Sequence, residues 1–272
     1  MKLGVMLRNW GPASSIEVLA ECARAAEAAG LEQIWVADHV AIPPDDAEGS
    51  GGRYMEPFVT LSYLAAITDK IKLGTGVLVL PHRTALSVAK SAASLQELSG
   101  NRFTLGVGVG AMQAEYTVTG VAWERRGAIA NESLRFIRMC FDAEVAESNR
   151  QPFLFRPRPP RPEILIGGQG PHAVRRVLRY GDGWFAAVSD PQWLEPRSSA
   201  LSKAARDAGC DQPSITVLFA WRRLEIEEAV ARLQALRELG TQQVVLSAPY
   251  ENADDFASQL ELVRDRLLPV LA

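Results

Sequence analysis

The residues best suited to proton chemistry stand side by side. Asp38 and His39 end the apolar run Ile34-Trp35-Val36-Ala37, in a chain with only three histidines. An imidazole donates or accepts a proton near neutral pH. A carboxylate beside it orients the ring or caps the following loop. The plainer reading of the same pair is a tidy strand terminus. His82, behind Pro81, and His172, at a helix start, are lesser candidates.

Two glycine patterns add binding chemistry. In Gly167-Gly168-Gln169-Gly170-Pro171, bare backbone N–H groups precede a proline suited to the first helical position. Such a helix start makes an anion or phosphate cradle, or simply reverses the chain. Gly106, Gly108 and Gly110 alternate along a strand around Val107. Their missing side chains either admit a flat ligand to the backbone or relieve crowding inside a barrel. Arg8 could stabilise negative charge on a substrate or cofactor, and Trp10 and Trp184 are apolar walls or core. Arg53, Arg125 and Arg126 read as attractors of an anionic tail or as solvated surface charge.

Other chemistries lack their motifs. No HExxH, HxH, CxxC, GxSxG or P-loop is present, so no metal site is expected. GVGVG differs from the dinucleotide fingerprint GxGxxG. With no strong nucleophile, a bound cofactor is the natural source of reactivity.

Those residues need a scaffold that brings strand ends together. Apolar strands are expected at Lys2–Leu7, Gln33–Ala37, Ile71–Leu80, Phe103–Gly108, Glu163–Gly167, Gly183–Val188, Ser214–Trp221 and Gln242–Ser247. Helical spacing fills the gaps, at Ser15–Gly30, Pro57–Asp69, Leu86–Ser99, Arg126–Ala146, Pro171–Tyr180, Gln192–Ala208, Ile226–Gly240 and Ala253–Leu268. Strict alternation of Val/Ile/Leu-rich strands with helices predicts a single-domain (β/α)8 TIM barrel over residues 1–272, with a doubly wound open sheet as the alternative. Chemistry in this fold sits at the strand C-terminal mouth. The irregular stretches are Pro43–Met55, expected to be a mobile lid at that mouth, and Glu147–Pro162.

The chain has 272 residues, 47% of them hydrophobic, and a net charge of -3. This balance gives no sign of nucleic-acid or membrane-surface binding, and no apolar run reaches the ~18 residues of a membrane span. Three cysteines far apart fit a reduced, cytoplasmic compartment.

The segments IWVADHV, IKLGTGVLVLPHR, LSGNRFTLGVGVG and ILIGGQGPHAVRRVLRYGDGW occur in this order. The ordered set resembles the luciferase-like monooxygenase superfamily, and within it the coenzyme F420-dependent oxidoreductase branch. The resemblance implies a barrel that binds F420, or alternatively FMN, at its mouth. Asp38 and His39 would lie beside the ring, with His39 catalytic or cofactor-positioning. A non-prolyl cis peptide would fall at Gly76-Val77, next to Thr75. Val107, Gly108 and Gly110 would line the cofactor, and Gly167, Gly168, Gln169 and Gly170 would hold its phosphate. In some relatives an acidic residue follows the strand-four glycines, where this chain has Ala111. Glu115 lies a helical turn further on.

The expected function is hydride transfer between F420 and a small organic substrate. The alternatives are an FMN-dependent monooxygenase, a cofactor-binding barrel without turnover, and a phosphate-binding lyase or isomerase. Relatives are often homodimers.

Overall fold

The computed structural model describes residues 1–271. Its strands are β1 (Lys2–Met6), β2 (Gln33–Val36), β3 (Lys72–Thr75), β4 (Leu78–Val79), β5 (Phe103–Gly108), β6 (Val145–Ser148), β7 (Gln151–Leu154), β8 (Glu163–Gly167), β9 (Gly183–Ala186), β10 (Ser214–Phe219) and β11 (Gln243–Leu246). Its helices are α1 (Ile16–Ala28), α2 (Pro57–Ala66), α3 (Ala85–Leu98), α4 (Gln113–Thr119), α5 (Arg126–Asp142), α6 (Pro171–Tyr180), α7 (Pro191–Asp207), α8 (Ile226–Glu238) and α9 (Ala253–Leu262).

The large sheet runs β3-β2-β1-β11-β10-β9-β8-β5-β4, and a further β3–β5 pairing closes it. β3 and β4 are two pieces of the third barrel strand, so nine strands make an eight-staved parallel barrel. Closure excludes the open-sheet alternative. Sequence explains why the staves hold: Ile34, Trp35 and Val36 have no exposed surface, as strands covered on both faces require. Ser15 caps α1 by accepting from Val18 N–H, and Gly30, at φ +73°, ends it in the left-handed conformation that glycine tolerates best.

Trp35 plugs the barrel interior together with Met6, Leu165, Phe185 and Val245. Its ring meets Phe185 edge-on at 5.1 Å. The plug dictates a neighbour: a Cβ on Gly74 would stand 2.5 Å from Trp35 Cε3, well inside van der Waals contact.

Three local expectations are corrected. The third strand is not continuous over Ile71–Leu80; it breaks at a cis Gly76-Val77 bond. The fifth helix ends at Asp142 rather than Ala146, because β6 pairs antiparallel with β7. Asn149 and Arg150, both at positive φ, make the tight turn such a hairpin needs. The last helix stops at Leu262 and continues as a π turn, Val263–Leu267. Among the described residues no helix is long and apolar enough to cross a membrane.

Candidate active site

The third-strand break shapes the mouth. Thr75, Gly76 and Val77 form a bulge, and the strand-end glycines make room for it. A Cβ on Gly106 would lie 2.0 Å from the Thr75 carbonyl oxygen, and one on Gly108 would lie 2.8 Å from Val77 Cγ2. A Cβ on Gly167 would stand 3.2 Å from Val77 Cγ1. The Thr75 hydroxyl donates to the Gly106 carbonyl at 2.7 Å. The glycines therefore relieve crowding within the barrel wall, and the ligand-access reading of Gly106 and Gly108 is corrected: the bulge, not the glycine backbone, is what the mouth presents. Gly110 turns the chain at φ +67° toward α4. Val107 packs with the layer between barrel and helices, so its side chain does not reach the mouth.

α4 supplies the partner that sequence reasoning undervalued. Glu115 Oε2 lies 2.9 Å from His39 Nδ1. Its Oε1 accepts from the backbone N–H groups of Val40 at 2.8 Å and Ala41 at 3.1 Å. Burial opposes the charge on Glu115, but these two N–H groups and His39 outweigh it and hold the carboxyl below its ordinary 4.5. An ionised carboxylate only accepts, so Nδ1 carries the proton that faces it, and Nε2 is left to face away from Glu115. The His39 side chain is 31% exposed and that of Glu115 only 3%. The arrangement is an imidazole that is fixed in tautomer yet open to the mouth, as a general base or acid requires.

The folded chain binds the Glu115 proton more weakly than the unfolded chain does. Its contribution to stability is therefore full above about pH 4.5 and is lost as the pH falls through the lower folded value. Thermal unfolding followed from pH 6 down to about pH 3 should fall more steeply for wild type than for Glu115→Gln. Parallel curves would contradict the ionised assignment.

Asp38 has a different task from the one its neighbour suggested. Its Oδ2 accepts from Arg83 Nη1 at 2.7 Å and from Val79 N–H at 2.8 Å, and its Oδ1 accepts from Arg83 Nη2 at 2.9 Å. The side chain is fully buried. Its oxygens face Arg83 and β4, so the catalytic assignment is corrected: Asp38 pins the chain that leaves the cis bond. Asn9, also fully buried, performs the matching stitch. It donates to the carbonyls of Ala37 and Met55 and accepts from Ala37 N–H.

The segment 43–55 lies at the mouth as expected. Its far end is tied down: Met55 N–H donates to Asn9 O, Gly11 N–H to Arg53 O, and Arg53 Nε to Ser14 Oγ. Trp10 and Tyr54 stack at 6.0 Å, and Tyr54 meets His39 at 4.7 Å. Arg8 donates from Nη1 to the Tyr250 carbonyl at 2.7 Å.

Trp184 is corrected from substrate wall to brace. It is 3% exposed, packs beside Trp193, and donates from Nε1 to the Gly168 carbonyl at 2.7 Å. That bond steadies the loop before α6. Gly168, Gln169 and Gly170 are exposed there. Gly170 opens α6 without a side-chain cap, and no acid occupies the first turn. Among the described residues the N–H groups of Gln169 and Gly170 have no hydrogen-bond partner, and a Cβ on Gly170 would meet nothing within 4 Å. Bare N–H groups at a helix start fit a phosphate. His172 is exposed on α6 and lies 2.8 Å from Arg175 Nη2. His82 packs on Tyr116 at 4.5 Å, and burial lowers its basicity.

Comparisons with known proteins bear on the family and the fold. The profile of the family described as luciferase-like monooxygenase matches residues 1–266. An uncharacterized protein of Mycobacterium tuberculosis (strain ATCC 25618 / H37Rv) is 30% identical over 271 residues, which is 91% of this chain and 93% of that one. The 5,10-methylenetetrahydromethanopterin reductase of Methanolobus tindarius is 27% identical over 245 residues, 88% of this chain and 70% of that one. Two solved structures share the fold. One is an F420-dependent secondary alcohol dehydrogenase in complex with an F420-acetone adduct (TM-score 0.81, 16% identity, covering 100% of this chain and 99% of that one). The other is the FMN complex of the oxygenating constituent of 3,6-diketocamphane monooxygenase from the CAM plasmid of Pseudomonas putida (TM-score 0.79, 16% identity, covering 99% and 98%).

Proposed function

The chain belongs to the luciferase-like monooxygenase family, and within it we propose a coenzyme F420-dependent oxidoreductase acting on a small organic substrate. The observation that carries this reading is the His39–Glu115 pair at the mouth, 2.9 Å apart. Interconverting an alcohol and a carbonyl moves one hydride and one proton. The cofactor, when bound, supplies the carbon that gives or takes the hydride.

The chain's own residues do the rest. Gln169, Gly170 and the start of α6 hold the cofactor phosphate through backbone N–H groups. Val77, at the cis bulge, backs the ring. Asp38 and Arg83 fix that bulge from behind. Glu115 holds His39 with Nε2 free, and Nε2 passes the proton to or from the substrate oxygen. Trp10 and Tyr54 wall the site beside it.

The second reading is an FMN-dependent monooxygenase, favoured by the fold it shares with the FMN-bound oxygenase. Oxygen chemistry of that kind requires a pocket that excludes water, whereas His39 is partly exposed. Titration with F420 and with FMN, followed by fluorescence quenching, separates the two. F420 should bind at micromolar concentration and FMN much more weakly. Tight FMN binding without F420 binding would overturn the proposal.

A further inference from the structure

A cleft of about 290 Å³ opens where three strands end. Arg8 lines it from the chain after β1. Arg222 and Arg223 line it from the turn after β10, and Ser247 and Pro249 from the end of β11. Trp10 forms an apolar wall. The chain carries a net charge of -3, yet no Asp or Glu lines this cleft. Among the described residues none of the three guanidinium groups has a carboxylate within ion-pair distance. Arg8 is held by the Tyr250 carbonyl and lies 5.8 Å from the centroids of both Trp10 and Tyr250. Arg222 rests over Trp221 at 5.3 Å. Guanidinium groups with free donors are the fork that carboxylates and phosphates fit.

The cleft joins the proton-transfer site through aromatic contacts already described. Arg8 neighbours Trp10, Trp10 stacks on Tyr54, and Tyr54 touches His39. A molecule with its reacting carbon near His39 could therefore lay an apolar body along Trp10 and place an acidic group among the arginines. We propose that Arg8, Arg222 and Arg223 form the anion-recognising end of the substrate site, and that the substrate is a small carboxylate or phosphate ester with an apolar body. This rests on the oxidoreductase reading above for the role of His39, though not for the binding of the anion itself.

The anion has two sources, substrate or cofactor. The loops after the seventh and eighth strands are where barrels commonly hold phosphate, and here the first of them carries Arg222 and Arg223 while Arg8 reaches in from the end of β1. The uncapped start of α6 already offers the cofactor phosphate a place. The arginine cleft also has an apolar wall that a bare phosphate does not use, which favours the substrate.

The test uses the whole chain and the double variant Arg222→Ala/Arg223→Ala, whose altered side chains are exposed. Benzoate, phenyl phosphate and neutral benzamide serve as probes, with binding read by calorimetry at low and high salt. F420 affinity is read separately by fluorescence quenching. Wild type should bind an anionic probe about tenfold more tightly than benzamide, with the preference shrinking in salt. The variant should lose about tenfold for the anion and keep its F420 affinity. Equal binding of charged and neutral probes, or anion binding untouched in the variant, overturns the proposal. A loss of F420 affinity with no loss of probe binding also overturns it, and assigns the arginines to the cofactor. If wild type fails to bind F420 at all, the probe arm still decides the anion site, so the two readings fail separately.

Discussion

His39→Ala should lower turnover by about 10²- to 10⁴-fold, the range that a positioned acid or base contributes. The assay uses whichever alcohol, aldehyde or acid of a substrate panel wild type accepts. F420 affinity should change little, because the backbone groups at the start of α6 and the bulge at Val77 are untouched. Turnover within about twofold of wild type would reduce His39 to a mouth residue without chemistry. Loss of F420 binding alone would make it a cofactor-positioning group.

The second large effect falls on stability. Asp38→Ala leaves the Arg83 guanidinium without its bidentate partner and Val79 N–H without its acceptor. Removing one member of a buried ion pair costs about 3–5 kcal/mol. Glu56 also reaches Arg83, at 3.1 Å, and compensates for part of the loss, so the lower end of that range is expected from urea denaturation. Burial opposes the charge on Arg83, but the hydrogen bonds and charge of Asp38, with Glu56 behind them, raise its pKa above the ordinary value. A variant of near wild-type stability that had lost turnover would return Asp38 to a chemical role.

These two neighbours show what a sequence reveals and what it withholds. The strand end after Val36 is legible, because an apolar run meets two charged residues. Alternation of strands and helices also makes the barrel legible, and with it the face on which Asp38 and His39 stand. Which of the two does chemistry is not legible. Their side chains diverge, one into the wall toward Arg83 and one toward α4 and the mouth. The glycines mislead in a related way. Gly106 and Gly108 do alternate on one face, but the space they vacate is filled by Thr75 and Val77 from the next stave. That is a long-range packing fact without a local signature.

Glu115 was visible as a residue and undervalued as a partner. α4 is a short helix between the fourth barrel strand and α5, and Gly120, at φ 69°, ends it. That glycine was the available signal. The β6–β7 hairpin was hidden for a different reason, since Arg150 at φ 63° is an unusual residue for its turn. Trp184 and Trp35 look alike in sequence. One braces the α6 loop from outside the barrel and the other fills its interior, a distinction set by strand register.

The measurement that tests the account most directly is a structure of the protein soaked with F420. The ring should lie against Val77 with His39 at its edge, and the phosphate on the N–H groups of Gln169 and Gly170. A phosphate held instead by Arg8 and Arg222, or a ring away from Val77 and His39, would contradict the site described here.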